Sequence, residues 1–150
     1  MMKEVREQQF AGKSFNEVQI GDRDEIVHTI SAAEVDAFAQ LSGDYNPLHI
    51  NEEYAKKTFF GKRVVHGMLS ASFISALLGM KLPGPGSLWL SQTLNFLKPV
   101  FIGDTLTVVA EVKEKIPAKN ICIIDTTVTN QDGQKVIAGE AKIKILETEK

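Results

Sequence analysis

The sequence predicts an α+β fold: one antiparallel sheet wrapped around a single buried helix. Three observations point to it. From Gly67 to Met80 the chain carries no charged residue, yet this stretch is too short to span a bilayer. "KLPGPGS" then breaks it sharply, and the remaining chain reads as a run of strands separated by turn residues. The 150 residues suit one domain with one core, and neither a repeat nor a linker divides the chain.

In chain order, residues 1–13 form a polar lead-in, and one short extended segment is expected before Asp22. "DEIVHTIS" alternates as a strand, with Ile26 and His28 on one side and Val27 and Thr29 on the other. Ser31 followed by Glu34 is a capping box, and Val35, Phe38, Ala39 and Leu41 give the apolar stripe of a short helix ending at Ser42-Gly43. After the loop "LSGDYNPLHI", Asn51 caps "EEYAKKT", with Glu52 and Glu53 where the helix dipole favours acids. The uncharged helix Gly67–Met80 comes next, apolar or small on every face, and is expected to be buried all round. Strands are expected over Leu88–Val100, Thr105–Ile116, Asn120–Thr129 and Lys135–Leu146, the last two joined by a tight hairpin at Asp132-Gly133. A helix enclosed this way gives an architecture of hot-dog type. One sheet cannot enclose a helix alone, so two protomers are expected to pair their sheets, and a homodimer is the minimum assembly.

Charge and composition narrow the function. With 17 Lys+Arg against 19 Asp+Glu the net charge is −2, which argues against a general nucleic-acid binder. The single cysteine, Cys122, lies in the β-branched run "NICIIDTTVT" and reads as a small buried hydrophobe. "MMKEVREQQF" lacks an apolar signal region and no long apolar run comes after it, so a cytoplasmic protein away from membranes is expected.

Two stretches carry candidate chemistry. In "LSGDYNPLHI", Asp44 and His49 are two proton-moving groups held five residues apart by Gly43, Asn46 and Pro47. The same pattern also suits a self-capped loop, with Asp44 and Asn46 closing Asx turns and His49 packed under the next helix. In "VVHGML", Gly67 opens the uncharged helix, so its N–H is an unpaired donor at the positive end of the dipole, suited to an oxyanion or a developing enolate. His66 reads either as a third proton carrier or, in the favoured reading, as a residue that orients the turn by hydrogen bonds. A metal site from Asp44, His49 and His66 lacks established zinc spacing and is not expected. Along the helix Ala71, Ser75 and Leu78 fall at i, i+4 and i+7, either as core or as the wall of an acyl tunnel. Lys62, Arg63 and Lys98 are either solvated cations or contacts for a phosphate-bearing carrier.

Taken together, "LSGDYNPLHINEEYA", "FFGKRVVHGMLSAS" and "LNFLKPVFIGDTLTVVAEV" closely resemble the MaoC-like (R)-specific enoyl-CoA hydratase family, from about Phe15 onward. The resemblance implies a hot-dog fold and hydration of trans-2-enoyl thioesters to (R)-3-hydroxyacyl thioesters, or the reverse, on an acyl-CoA substrate. It also implies homodimers or larger assemblies and needs no metal or cofactor. By position it makes Asp44 and His49 the catalytic pair and the Gly67 amide the oxyanion donor, with Ser75 and Leu78 shaping the acyl pocket. A hot-dog thioesterase would place a carboxylate on or beside the central helix, which has none between Gly67 and Met80. The phenylalanine- and proline-flanked histidine motif expected of the dehydratases acting on carrier-protein-bound substrates is missing. An intact Asp44, His49 and Gly67 set argues against a non-catalytic acyl-thioester-binding module.

Overall fold

The computed structural model describes residues 11–147. The first ten residues of the expected polar lead-in lie outside that range. The described elements are β1 (Arg23–Thr29), α1 (Ala32–Ser42), α2 (Pro47–Ile50), α3 (Glu52–Lys56), α4 (Gly67–Met80), β2 (Ser87–Gln92), β3 (Asn95–Phe96), β4 (Thr105–Ile116), β5 (Ile121–Thr129) and β6 (Lys135–Ile145). The strands form one antiparallel sheet in the order β1-β4-β5-β6-β2, with β3 also paired to β6. This is the expected hot-dog arrangement, with α4 lying against the sheet.

The central strands show why the helix sits where it does. Along β4, Leu106, Val108, Ala110 and Val112 are buried and alternate with more exposed residues, as a half-covered strand requires. They meet Leu69, Ile74, Leu77 and Leu78 of α4, with Ile124, Val128, Ile137 and Ile143 closing the core from β5 and β6. A fully buried side chain of this size contributes ~1.5–3 kcal/mol, so these residues hold α4 on the sheet. Cys122 belongs to the same core, and burial pushes its thiol up against the opposing pull of Lys115. Ser31 and Glu34 form the expected reciprocal cap of α1. His28 bonds Glu34 at 2.5 Å and stacks on Phe73, a structural role.

Three expectations are corrected. The segment before Asp22 is a turn rather than extended, because Glu17 and Val18 both donate their N–H to the Ser14 carbonyl. The predicted strand Leu88–Val100 is shorter and divided into β2 and β3. Its register shifts between Trp89 and Ser91, and the Thr93 carbonyl then packs onto Gly139 so closely that a Cβ there would lie 1.7 Å from it. Finally, α4 is not buried all round within one chain. One side faces the core, while Met68 (56 % exposed) and Met80 (64 %) lie on the surface with Ser72, Ser75 and Ala76. A single sheet covers only one side of a helix. The β2 edge of the sheet likewise carries the exposed side chains of Leu88, Trp89 and Leu90.

Candidate active site

The loop after α1 is built by its own side chains. Gly43 takes a left-handed conformation (φ 81°), where a residue with a Cβ is strained, and donates its N–H to the Ala39 carbonyl. That turn points the chain back toward α4. Asp44 Oδ1 accepts the Asn46 N–H at 3.1 Å, and Asn46 Oδ1 accepts the Leu48 N–H at 3.1 Å, capping α2 with Pro47 at its first position. So the self-capped loop is real, but it consumes only one oxygen of Asp44. The other, Oδ2, faces His49 Nε2 at 3.9 Å.

His49 is fixed from the opposite side. Its Nδ1 lies 2.6 Å from the Val64 carbonyl oxygen, which can only accept, so Nδ1 carries the proton. In the neutral ring the lone pair is then on Nε2, directed toward Asp44. At 3.9 Å the two groups are too far apart for a direct hydrogen bond, yet close enough to share one water. The Val64 strip is itself pinned, since Val64 N–H donates to Leu48 O and Val65 N–H to Val100 O.

His66 precedes α4 and is almost wholly buried. Its Nε2–H donates to the Asp44 carbonyl at 3.0 Å, and its ring stacks on His49 with centroids 4.0 Å apart. This bond ties the start of α4 to the Asp44 turn. Asp44, His49 and His66 bring ligand atoms within 4.8 Å of one another. However, one nitrogen of each ring is tied to a backbone carbonyl, and near-parallel stacked rings (29°) do not aim their remaining lone pairs at one point.

Gly67 is the first residue of α4, and among the described residues its N–H has no acceptor. The Phe96 ring lies over it, and a Cβ at this position would sit 2.7 Å from Phe96 Cε1, so any larger residue must displace that half-exposed ring or the helix start. Asp44, His49, His66 and Gly67 all open onto one cavity of about 800 Å³, walled by Phe38, Phe60, Val65, Phe96, Leu97 and Ile137.

The remaining expected residues divide. Lys98 lines this cavity. Lys62 lies over the Phe101 ring at 4.3 Å, outside the lining. Arg63 is not a free cation: Nε donates to the His49 carbonyl and Nη2 to Asp36 Oδ1, both at 2.6 Å, and its side chain is 12 % exposed. It braces α2 against α1. Ala71 and Leu78 are buried in the core and Ser75 is exposed, so the three do not share a wall, and none of them lines the cavity. At about 100° per residue the three positions span only ~60° of the helix surface, so the edge of the covered face runs between Ser75 and the other two. Much of the cavity lining, Phe96 and Ser70 included, was not anticipated from the sequence. Phe96 had no local signal, because its contact with Gly67 is made across the sheet edge.

Comparison with known proteins identifies the family. Residues 17–134 match the family model described as "MaoC like domain". A Rhodospirillum rubrum protein named (R)-specific enoyl-CoA hydratase is 45% identical over 131 residues, covering 87% of this chain and 90% of the relative. A Methylorubrum extorquens 3-hydroxybutyryl-CoA dehydratase is 42% identical, covering 87% of this chain and 83% of the relative. Among solved structures, the unliganded R-hydratase of Pseudomonas aeruginosa superimposes with a TM-score of 0.88 at 43% identity, covering 91% of this chain and 88% of that one. With the family model spanning most of its length, this chain belongs to the MaoC-like family.

Proposed function

We propose that the protein is an (R)-specific enoyl-CoA hydratase, adding water to trans-2-enoyl thioesters and running the reverse dehydration. The observation that carries this is the 3.9 Å gap between Asp44 Oδ2 and His49 Nε2, opening onto an apolar cavity that also holds the Gly67 N–H. A water in the gap bonds both groups. As its oxygen attacks C3, an O–H bond breaks and the proton passes to the pair, while the π electrons move to C2 and the thioester oxygen. The Gly67 N–H stabilises that enolate oxygen, and the pair returns a proton to C2, so it ends as it began. General acid–base catalysis contributes ~10²–10⁴-fold and an oxyanion donor ~10²–10³-fold.

The substrate carrier in this reading is coenzyme A, and the presence of Lys98 in the cavity lining supports a contact with its anionic part. The working assembly is a homodimer or larger, in which a second copy covers the exposed face of α4 and extends the sheet at β2. Among the described residues no helix is long and apolar enough to cross a membrane, and the reading places the enzyme in the cytoplasm.

The test is spectrophotometric. Mixed with crotonyl-CoA, the protein should lower the conjugated enoyl absorbance to its equilibrium level without releasing thiol. Free thiol with constant enoyl absorbance would identify a thioesterase instead, and no change in either signal a binding module. Light scattering on the eluted protein checks the assembly, and a monomeric mass would refute the dimer.

A further inference from the structure

Beside the catalytic pair lie two buried polar atoms that have no hydrogen-bond partner among the described residues, His66 Nδ1 and Ser70 Oγ. Both residues line the catalytic cavity and are 2 % and 0 % exposed. Native proteins satisfy nearly all such atoms, so two orphans in one place require a cause. They also suit each other. His66 Nε2 faces the Asp44 carbonyl at 3.0 Å and must carry the ring's proton, which leaves Nδ1 as an acceptor. Ser70 offers a hydroxyl donor, and its position four residues along the helix places it beside His66. The Ser70 amide already donates to the His66 carbonyl at 3.2 Å, so the hydroxyl is the group left free.

We propose that Ser70 is a positioning residue for the catalytic pair: its hydroxyl donates to His66 Nδ1, directly after a side-chain rotation or through one buried water. The bond satisfies the buried lone pair of the tautomer that grips the Asp44 backbone and so removes the cost of keeping His66 there. In the opposite tautomer a lone pair would face the Asp44 carbonyl oxygen at 3.0 Å, two acceptors in repulsion. Asp44 would then be pushed off its carbonyl anchor, and the gap to His49 would lose its definition. Neither Phe38 nor His49, which contact the His66 ring through their faces at centroid distances of 4.9 and 4.0 Å, can distinguish the tautomers. Ser70 can.

The kinetic part of this proposal rests on the hydratase reading; the hydrogen bond does not. The experiment is ¹⁵N NMR of the imidazole nitrogens, with His66 assigned from His66→Gln, combined with crotonyl-CoA kinetics. In the unaltered protein His66 should show a protonated Nε2 and an Nδ1 shifted as a hydrogen-bonded acceptor. Ser70→Ala should move Nδ1 to its free position or mix the tautomers. It should also lower kcat about fivefold, the effect of one hydrogen bond, with KM little changed. Ser70→Thr, which keeps the hydroxyl, should restore both signals. An unbonded His66 Nδ1 in the unaltered protein would overturn the proposal, and this outcome can be read even if Ser70→Ala does not fold. A shifted nitrogen with unchanged kcat would overturn the positioning role. Failure of the unaltered protein to hydrate crotonyl-CoA would sink the functional reading, while the nitrogen spectrum would still decide the bond.

Discussion

The loop that ends in α2 and the turn that opens α4 each present a histidine to the same cavity, and the two rings stack 4.0 Å apart. They nevertheless face the chemistry in opposite senses. His49 is tied through Nδ1 to the Val64 carbonyl, so its free Nε2 looks at Asp44 and the cavity. His66 is tied through Nε2 to the Asp44 carbonyl, so its free Nδ1 is sealed inside the protein. One residue type thus supplies a proton carrier on one side and a brace on the other. What decides between them is which nitrogen meets a backbone carbonyl, a fact of the fold rather than of the residue.

That contrast can be broken experimentally. The largest effect is expected at the proton-transfer side: His49→Ala or Asp44→Asn should each lower turnover by at least ~10²-fold, with circular dichroism and melting close to the unaltered protein. Near-normal rates in either would end the assignment. On the brace side, Gly67→Ala places a Cβ 2.7 Å from Phe96 Cε1. The half-exposed ring or the helix start must then shift, and misplacing the oxyanion donor should cost up to about 10²-fold in kcat/KM while stability changes little.

Arg63 tests whether the loop itself is held or merely adjacent. Removing its bonds to the His49 carbonyl and Asp36 with Arg63→Met should destabilise the protein by about 2 kcal/mol in urea unfolding. KM should change equally for crotonyl-CoA and for the pantetheine thioester that lacks the nucleotide. A KM effect confined to the CoA substrate would restore Arg63 as a phosphate contact. The smallest effect lies farthest from the site: Ser31→Ala removes the cap of α1 and should cost about 1 kcal/mol without changing kcat.

The same cap gives a signed pH dependence. Burial pushes the Glu34 carboxyl up, but bonds from the Ser31 N–H, His28 and the Ser31 hydroxyl outweigh it and hold the group below its ordinary value of 4.5. Its contribution to stability is therefore present above that value and is lost as the pH falls through the lower folded value. Glu34→Gln should flatten the acid limb of the stability profile, measured by melting temperature against pH.

Much of the site was legible because it is local. Gly43, Asp44, Asn46 and Pro47 act on residues two to four positions away, and those bonds arise from turn and cap chemistry. The bounds of α4 were equally plain, from the lack of charge over Gly67–Met80 and the "KLPGPGS" break. What escaped depends on contacts across the fold. Arg63 reads as a solvated cation until Asp36, 27 residues earlier, and the His49 carbonyl come into reach. The break after β2 is set in part by Gly139 on a different strand. Ser75 shares a nominal helix stripe with Ala71 and Leu78, yet it lies on the face that the sheet leaves open.

The central claim is that Asp44 and His49 act as a unit on one water, and a double-mutant cycle measures that directly. Crotonyl-CoA hydration would be compared in Asp44→Asn, His49→Ala and the two combined. If both groups hold the same water, the double variant should be no slower than the worse single one, because the first loss already removes the shared function. Losses that multiply, each substitution costing its full factor in the presence of the other, would contradict the account and place the two residues in separate roles.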